Sequence, residues 1–178
     1  MTSGKSNVAA VALSAYISRM FVAAGAAHAE SQLVSDALVD AELEGLQSHG
    51  VMLVELYVDR LRHGSVATIW GATIVSDRGV AIVMDAGHEF GHLSAARAMG
   101  LAIERARLRG AGIVAVRSAF HFGAARRFAL LAVEADCIGI AMCNTRPLMP
   151  APGGAEPVVG NNPIAIAVSG RRPNPYRS

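Results

Sequence analysis

The sequence predicts an α/β protein entered through a helical segment, and three observations predict it. Glycines at 25, 45 and 64 punctuate the first 64 residues at helix-length intervals. From Ala72 the pattern switches to short runs rich in valine and isoleucine. After that switch, strands and helical stretches alternate, which is the mark of a sheet with crossover helices.

The periodicity predicts helices at about 7–24, 28–44 and 50–63, with Gly25, Gly45 and Gly64 as C-cap glycines. In the first, Val11, Ala15, Ser18 and Val22 fall at helical spacing. In the second, Leu33, Ala37, Leu38 and Ala41, with His28 or Gln32, trace an apolar stripe, and Glu30, Asp36, Asp40, Glu42 and Glu44 form a solvated face. ATIVSD and VAIVMD read as strands divided by the turn Asp77-Arg78-Gly79. A helix at about 92–109, the strand GIVAVRS, a helix at about 122–135 and the strand CIGIAMC follow. The Pro- and Gly-rich loop NTRPLMPAPGGAEPVVGNNP then leads to a last strand, IAIAV. The chain thus divides into a helical segment, 1–68, an α/β part, 69–168, and a divergent tail, 169–178.

Composition bounds the function. The 178 residues suffice for a real core, and 52% are hydrophobic but only 5% aromatic, so alanine and valine dominate the packing. The net charge is +2, with no basic block and no aromatics interleaved with arginines, which argues against a nucleic-acid partner. Cys137 and Cys143 form no CxxC pair and read as two buried thiols in a reducing cytoplasm. Lys5 before VAAVALSAYI, with AAHAE at 26–30, has the outline of an export signal. Ser14, Tyr16, Ser18 and Arg19 interrupt that apolar run, so a helix of the fold is the better reading. No segment reaches the roughly 18 uncharged apolar residues of a membrane span.

Four stretches carry residues with chemistry. His88-Glu89-Phe90-Gly91-His92 matches H-E-x-x-H, which on a helix sets two imidazoles one turn apart on zinc with the glutamate as base. Alanines stand at 95 and 98, where the long form of that motif has glycine and a third histidine, and Gly87 and Gly91 suit a strand-to-helix turn better than a helix interior. The competing reading puts His88 and Glu89 in a loop and His92 near the start of the next helix, with no metal. Ser48-His49 falls in a joint between helices, where a histidine can serve as a general acid near neutral pH or simply help cap the next helix. Arg117 to Gly123, RSAFHFG, joins a strand to a helix and places His121 near a helix N-terminus, a kind of site that binds phosphates and carboxylates; otherwise it is a loop over Phe120 and Phe122. Pro152 to Pro163 is a long loop whose Gly153 and Gly154 permit close backbone approach and whose Asn161-Asn162-Pro163 fixes a turn. No G-x-G-x-x-G follows a strand, and no Walker lysine loop is present, so the domain is not a Rossmann one.

Taken together, the chain resembles the malate/L-lactate dehydrogenase family, the NAD(P)-dependent group distinct from Rossmann lactate dehydrogenases. The resemblance rests on Gly45 with Ser48-His49-Gly50-Val51, on Tyr57 and Leu61-Arg62-His63-Gly64, and on Asp85, Gly91 and Ala98-Met99. It continues through Gly110, Val116-Arg117, His121-Phe122-Gly123, Gly139-Ile140, Asn144, Pro147, Pro150, Gly153-Gly154 and Gly160-x-Asn162-Pro163-Ile164-Ala165.

The resemblance implies a three-layer α/β/α domain with a mixed sheet beside a helical domain, usually in a homodimer. It implies reduction of a small 2-oxo acid or cyclic imine, or oxidation of the 2-hydroxy acid, with NAD or NADP. His49 would be the acid/base and Ser48 would hold the substrate. His121, Phe122, Gly123, Gly160, Asn161, Asn162 and Pro163 would line the cofactor cleft, with His121 and Arg146 also facing substrate.

Three departures stand out. Leu53 occupies the place of an arginine that, one helical turn after His49, would clamp a substrate carboxylate. Losing such a contact costs about 2–5 kcal/mol when buried. Ala119 replaces a serine, and the chain stops where relatives run about as long again. The expectation is therefore either an active cytoplasmic reductase or a truncated, inactive relative that pairs with a full-length one.

Overall fold

The computed structural model describes residues 7–69 and 71–170. Lys5 and the part of the tail from 171 to 178 lie outside the described residues.

Helices α1 (Ala10–Ala23), α2 (His28–Leu43) and α3 (Val54–Arg62) form the entry segment. Each ends in the same way: the glycine after the cap, Gly25, Gly45 or Gly64, takes a positive φ. Its N–H, and that of the next residue, close back on the last turn, as in Gly45 N–H to the Glu42 carbonyl and Leu46 N–H to the Ala41 carbonyl. This is the paired 5→2 and 6→1 pattern that satisfies terminal carbonyls and favours glycine.

Between α2 and α3 the chain makes two 3-10 turns, Gln47–His49 and Val51–Leu53, instead of the continuous helix from residue 50 that the periodicity predicts. Gly50 is the reason. Its extended backbone breaks the helix, and the Glu42 carboxylate occupies the space a Cβ would need, accepting from the Val51 N–H at 3.2 Å.

The buried faces match the expected stripes in part, with Ser18 of α1 and Ala37, Leu38 and Ala41 of α2 buried. In α1, Ser14, Ile17, Ser18 and Phe21 are buried, while Val11 and Val22 are exposed. In α2, Val34 and Leu38 enter the core with Ser31 and Ser35, while Leu33 and His28 are exposed. Small and apolar residues occur on more than one side of each helix, so spacing alone offers several faces, and which one is buried is set by what the helix packs against. The acids of α2 are also more engaged than a solvated face: Asp40 pairs with Arg127 and Glu44 with Arg126. Ile17, Phe21, Val34, Leu38, Tyr57, Leu61 and Phe90 form one apolar cluster that joins the helices to the α/β part.

The sheet is mixed. Strand β1 (Thr73–Asp77) is antiparallel to β2 (Ala81–Asp85), and β2 is parallel to β3 (Ile113–Arg117) through the crossover helix α4 (Gly91–Arg109). Helix α5 (Ala125–Glu134) leads to β4 (Gly139–Met142), which pairs antiparallel with β7 (Ile164–Ala167). Two very short strands, β5 (Met149–Pro150) and β6 (Pro157–Val159), pair inside the long loop. Its prolines gave no strand signal.

Strands β1–β3 and the pair β4–β7 are separate sheets, and one face of each is covered: Ala98 and Leu101 of α4 pack on Met84, Val114 and Val116, and Phe128 and Ala129 of α5 pack near Ala141, Ala165 and Ala167. The described residues supply no helix for the other face. Cys137 and Cys143 are half-buried free thiols just beyond the ends of β4, not the buried pair expected. No helix among the described residues is long and apolar enough to cross a membrane.

Candidate active site

Two loops leave the carboxyl ends of the parallel strands β2 and β3, the edge where open α/β sheets place their ligand crevices. Asp85 and Arg117 are register partners at these ends and form an ion pair at 2.8 Å. The Gly87 N–H and then Arg117 hold the Asp85 carboxyl below its usual range.

The loops are zipped to each other by backbone bonds: His88 N–H to the Ser118 carbonyl at 2.7 Å, Phe120 N–H to the Glu89 carbonyl at 3.0 Å, and Gly91 N–H to the His121 carbonyl at 3.2 Å. His88 and Ser118 both adopt positive φ where the loops turn. A fourth bond, Ala67 N–H to the His88 carbonyl at 3.0 Å, ties the pair to the helical segment.

This arrangement disposes of the helical zinc motif. His88 and Glu89 precede α4, so His88 and His92 do not share a helix face. Glu89 is buried and accepts from the backbone N–H groups of Ala72 and Gly71; burial pushes its carboxyl up. His92 is buried under Gly123, whose Cβ, if present, would lie 2.5 Å from its Nε2. Burial drives the His92 pKa down to about 3, so the ring is neutral. No group of three metal-ligating side chains occurs among the described residues. The H-E-x-x-H stretch is instead the scaffold on which the His121 loop sits.

His121 and His49 meet above that scaffold. Their rings stack at 5.8 Å between centroids, although they come from the turn before α3 and the loop before α5. The Ser48 hydroxyl bonds His49 Nδ1 at 2.9 Å. The Tyr57 hydroxyl lies 2.6 Å from His121 Nδ1. Partial desolvation, and then the neighbouring His49, lower the pKa of His121.

Phe122 turns away to stack on Phe128 at 5.3 Å, and Gly123, at φ 75°, lets the chain pass over His92 into α5. Tyr57 was legible only as part of the family resemblance. Its partner is 64 residues away, and nothing local announces it.

The remaining expected residues lie elsewhere. Asn162 accepts from the Thr145 N–H and Asn161 from the Thr145 hydroxyl, both at 2.9 Å, and the Cys143 N–H reaches the Pro163 carbonyl at 3.3 Å. The Gly160–Pro163 turn is thus locked to the strand β4 exit by Thr145, a residue the sequence reading passed over. Gly160 is required there, since a Cβ would collide with Thr145. Among the described residues, no hydrogen bond, ion pair or ring contact joins this turn or Arg146 to the histidine pair. Leu53 packs against the helical core.

Comparison with known proteins shows the family and the fold. Residues 8–177 match the family model described as malate/L-lactate dehydrogenase. The chain is 41% identical over 142 residues to the L-sulfolactate dehydrogenase of Methanothermobacter thermautotrophicus, covering 80% of this chain and 42% of that one. It is 39% identical over 155 residues to the malate dehydrogenase of Pyrococcus abyssi, covering 87% and 43%. The solved malate dehydrogenase of Pyrococcus horikoshii superposes with a TM-score of 0.89 at 35% identity, over 93% of this chain and 48% of that one. The sulfolactate dehydrogenase of Methanocaldococcus jannaschii gives 0.87 at 35%, over 92% and 47%. The chain spans less than half the length of the curated relatives it matches.

Proposed function

Because the chain belongs to the malate/L-lactate dehydrogenase family, we propose that it serves a nicotinamide-dependent oxidoreductase that interconverts a small 2-hydroxy acid with its 2-oxo acid, or reduces a cyclic imine. The observation that carries this reading is the stacked His49–His121 pair, with Ser48 on His49, at the carboxyl ends of the parallel strands.

The residues present fit a phosphate-bearing cofactor. Helix α5 begins without a side-chain cap, so its first amides are available to an anion directly after His121-Phe122-Gly123. Asn161 and Asn162 spend their side-chain oxygens on Thr145, which leaves their amide groups as exposed donors. We assign His121, Phe122, Gly123 and the Gly160–Pro163 turn to holding that group, within the proposed cofactor-binding part 69–168. When bound, a nicotinamide supplies or accepts the hydride.

The chain's own residues handle the proton. With His49 Nδ1–H donating to the Ser48 hydroxyl oxygen, His49 Nε2 is left to exchange a proton with a substrate oxygen or nitrogen. Ser48 and Arg146 are proposed substrate contacts. In this reading the chain works in the cytoplasm and pairs with a second copy or with a longer relative.

A second reading is a non-catalytic member of the family, and Leu53 favours it, since a leucine cannot hold a carboxylate beside His49. Titration of the purified chain with NADH and NADPH, followed by nicotinamide fluorescence, decides. Saturable micromolar binding supports the reductase. No binding of either by folded protein overturns it in favour of the non-catalytic reading.

A further inference from the structure

Tyr57 is fully buried on α3, ringed by Phe21 at 6.3 Å, Phe90 at 5.0 Å and Phe120 at 5.7 Å between centroids. Its one hydrogen bond among the described residues goes to His121 Nδ1, at 2.6 Å. The His92 ring also meets Tyr57 edge-on at 5.8 Å between centroids but makes no hydrogen bond to it, so the phenol has one proton and one hydrogen-bond partner, and the direction of the bond follows from that. If Nδ1–H donated to the phenol oxygen, the phenolic proton would be buried against aromatic carbon with no acceptor. Buried donors left without partners are costly and rare, whereas an acceptor with a spare lone pair is tolerated. The phenol therefore donates, and Nδ1 accepts.

We infer that Tyr57 is a positioning residue that holds His121 in the Nε2–H tautomer, so that the neutral ring offers the cleft a hydrogen-bond donor and not a base. Resting on the oxidoreductase reading, this divides the labour of the stacked pair. His121 Nε2–H polarises the carbonyl or imine by a hydrogen bond, and His49, free of Tyr57, is the one that exchanges a proton.

The surroundings support a neutral His121. The groups packed around it are His49 from the turn before α3, Tyr57 from α3 and His92 from α4. None is a carboxylate that would stabilise an imidazolium. Burial raises the Tyr57 pKa, so the phenol keeps the proton it donates. The tautomer of an imidazole is set by what its other nitrogen bonds, and here that partner is fixed in the core.

The test reads the ring directly, in the whole 15N-labelled chain without substrate or cofactor. Long-range proton–nitrogen correlation spectra report which nitrogen of His121 is protonated, with His121→Gln assigning the signal. The expected result is a single Nε2–H tautomer above the His121 midpoint. In Tyr57→Phe, which keeps the ring packing, the signals move toward the mixture of an unconstrained imidazole and the midpoint rises, because a bond to the neutral form has been lost.

An Nδ1–H tautomer or a mixture in the parent chain overturns the inference, and so does an unchanged His121 in Tyr57→Phe. Should that variant fail to fold, the parent spectrum alone still decides. Because no turnover is needed, a chain that fails to bind NADH but shows the Nε2–H tautomer sinks the function and leaves the positioning role intact. The reverse result does the opposite.

Discussion

The helical entry segment and the outer face of the sheet are built from similar residues and end in opposite states. Around Phe21, apolar side chains from α1, α2, α3 and the two site loops close on one another until nothing of Phe21, Val34, Leu38 or Tyr57 reaches solvent. On the bare side of β4 and β7, Ile138, Ile140, Met142, Ile164, Ile166 and Val168 are 51–67% exposed. Composition does not separate these regions; the number of elements packed on each does. A helix cluster can bury its stripe against other helices close in sequence. The β4–β7 sheet has two faces, and α5 packs on only one of them. The stability of the described structure therefore lives in the helical cluster and its seam with the site loops.

The largest expected contrast follows. Phe21→Ala removes a ring from the centre of the closed cluster and should cost about 3–5 kcal/mol. Ile140→Thr, on the bare face, should change stability by no more than about 0.5 kcal/mol. Urea unfolding of both variants beside the parent measures the difference. Equal losses would mean that the face of β4 is covered in solution, and that the contrast between the two regions is not real.

The same contrast explains what was legible in the sequence. Glycine at 25, 45 and 64 marked the helix ends because a left-handed residue after the cap is a local requirement. The strands at 73–77, 81–85 and 113–117 were legible because β-branched runs between turn residues are local too. The choice between Val11 and Phe21 as the buried residue of α1 was not, since it depends on what the helix meets. The glycines around H-E-x-x-H marked it as a turn, as found, but the bonds that hold it are not local: they run to residues 118–121, some 30 positions away. Ser48-His49 and His121 were legible as candidates, in an interhelical joint and before a helix N-terminus, but their roles came only through the family resemblance, and the stacking of the two histidines is a tertiary fact. Tyr57 as the partner of His121, and Thr145 as the anchor of the Gly160–Pro163 turn, had no signal beyond that.

The seam between the regions gives a second prediction, through His92. Its folded pKa, about 3, lies below the ordinary histidine value of 6.5, because burial disfavours the cation. Above about pH 6.5 the ring is neutral whether folded or not, and it contributes no pH dependence. As pH falls from about 6.5 toward about 3, the unfolded chain takes up a proton that the folded chain refuses, so stability falls by about 1.4 kcal/mol per pH unit from this group. Unfolding free energies of the parent and of His92→Gln, measured from pH 7 to pH 4, should converge as the pH falls, since the glutamine does not titrate. Parallel curves would place His92 in contact with water.

The smallest prediction returns to the helix ends. Helices α1, α2 and α3 close with glycine, whereas α5, under the sheet, closes by the same pair of bonds with Asp136: Asp136 N–H to the Val133 carbonyl at 3.0 Å and Cys137 N–H to the Ala132 carbonyl at 2.8 Å. Asp136 sits at φ 59°, the left-handed region where a Cβ crowds the following carbonyl. That crowding costs about 1 kcal/mol for an ordinary residue, and less for aspartate, which tolerates the region. Glycine removes it but brings more freedom to the unfolded chain, worth roughly 0.5 kcal/mol in the other direction. The exposed Asp136 side chain makes no ion pair among the described residues, so nothing else is lost. Asp136→Gly should therefore stabilise the chain by less than about 0.5 kcal/mol, a small rise in thermal midpoint. A loss would show that the carboxylate contributes at this cap, so that the sheet region ends its helix by side-chain chemistry where the helical region relies on backbone conformation alone.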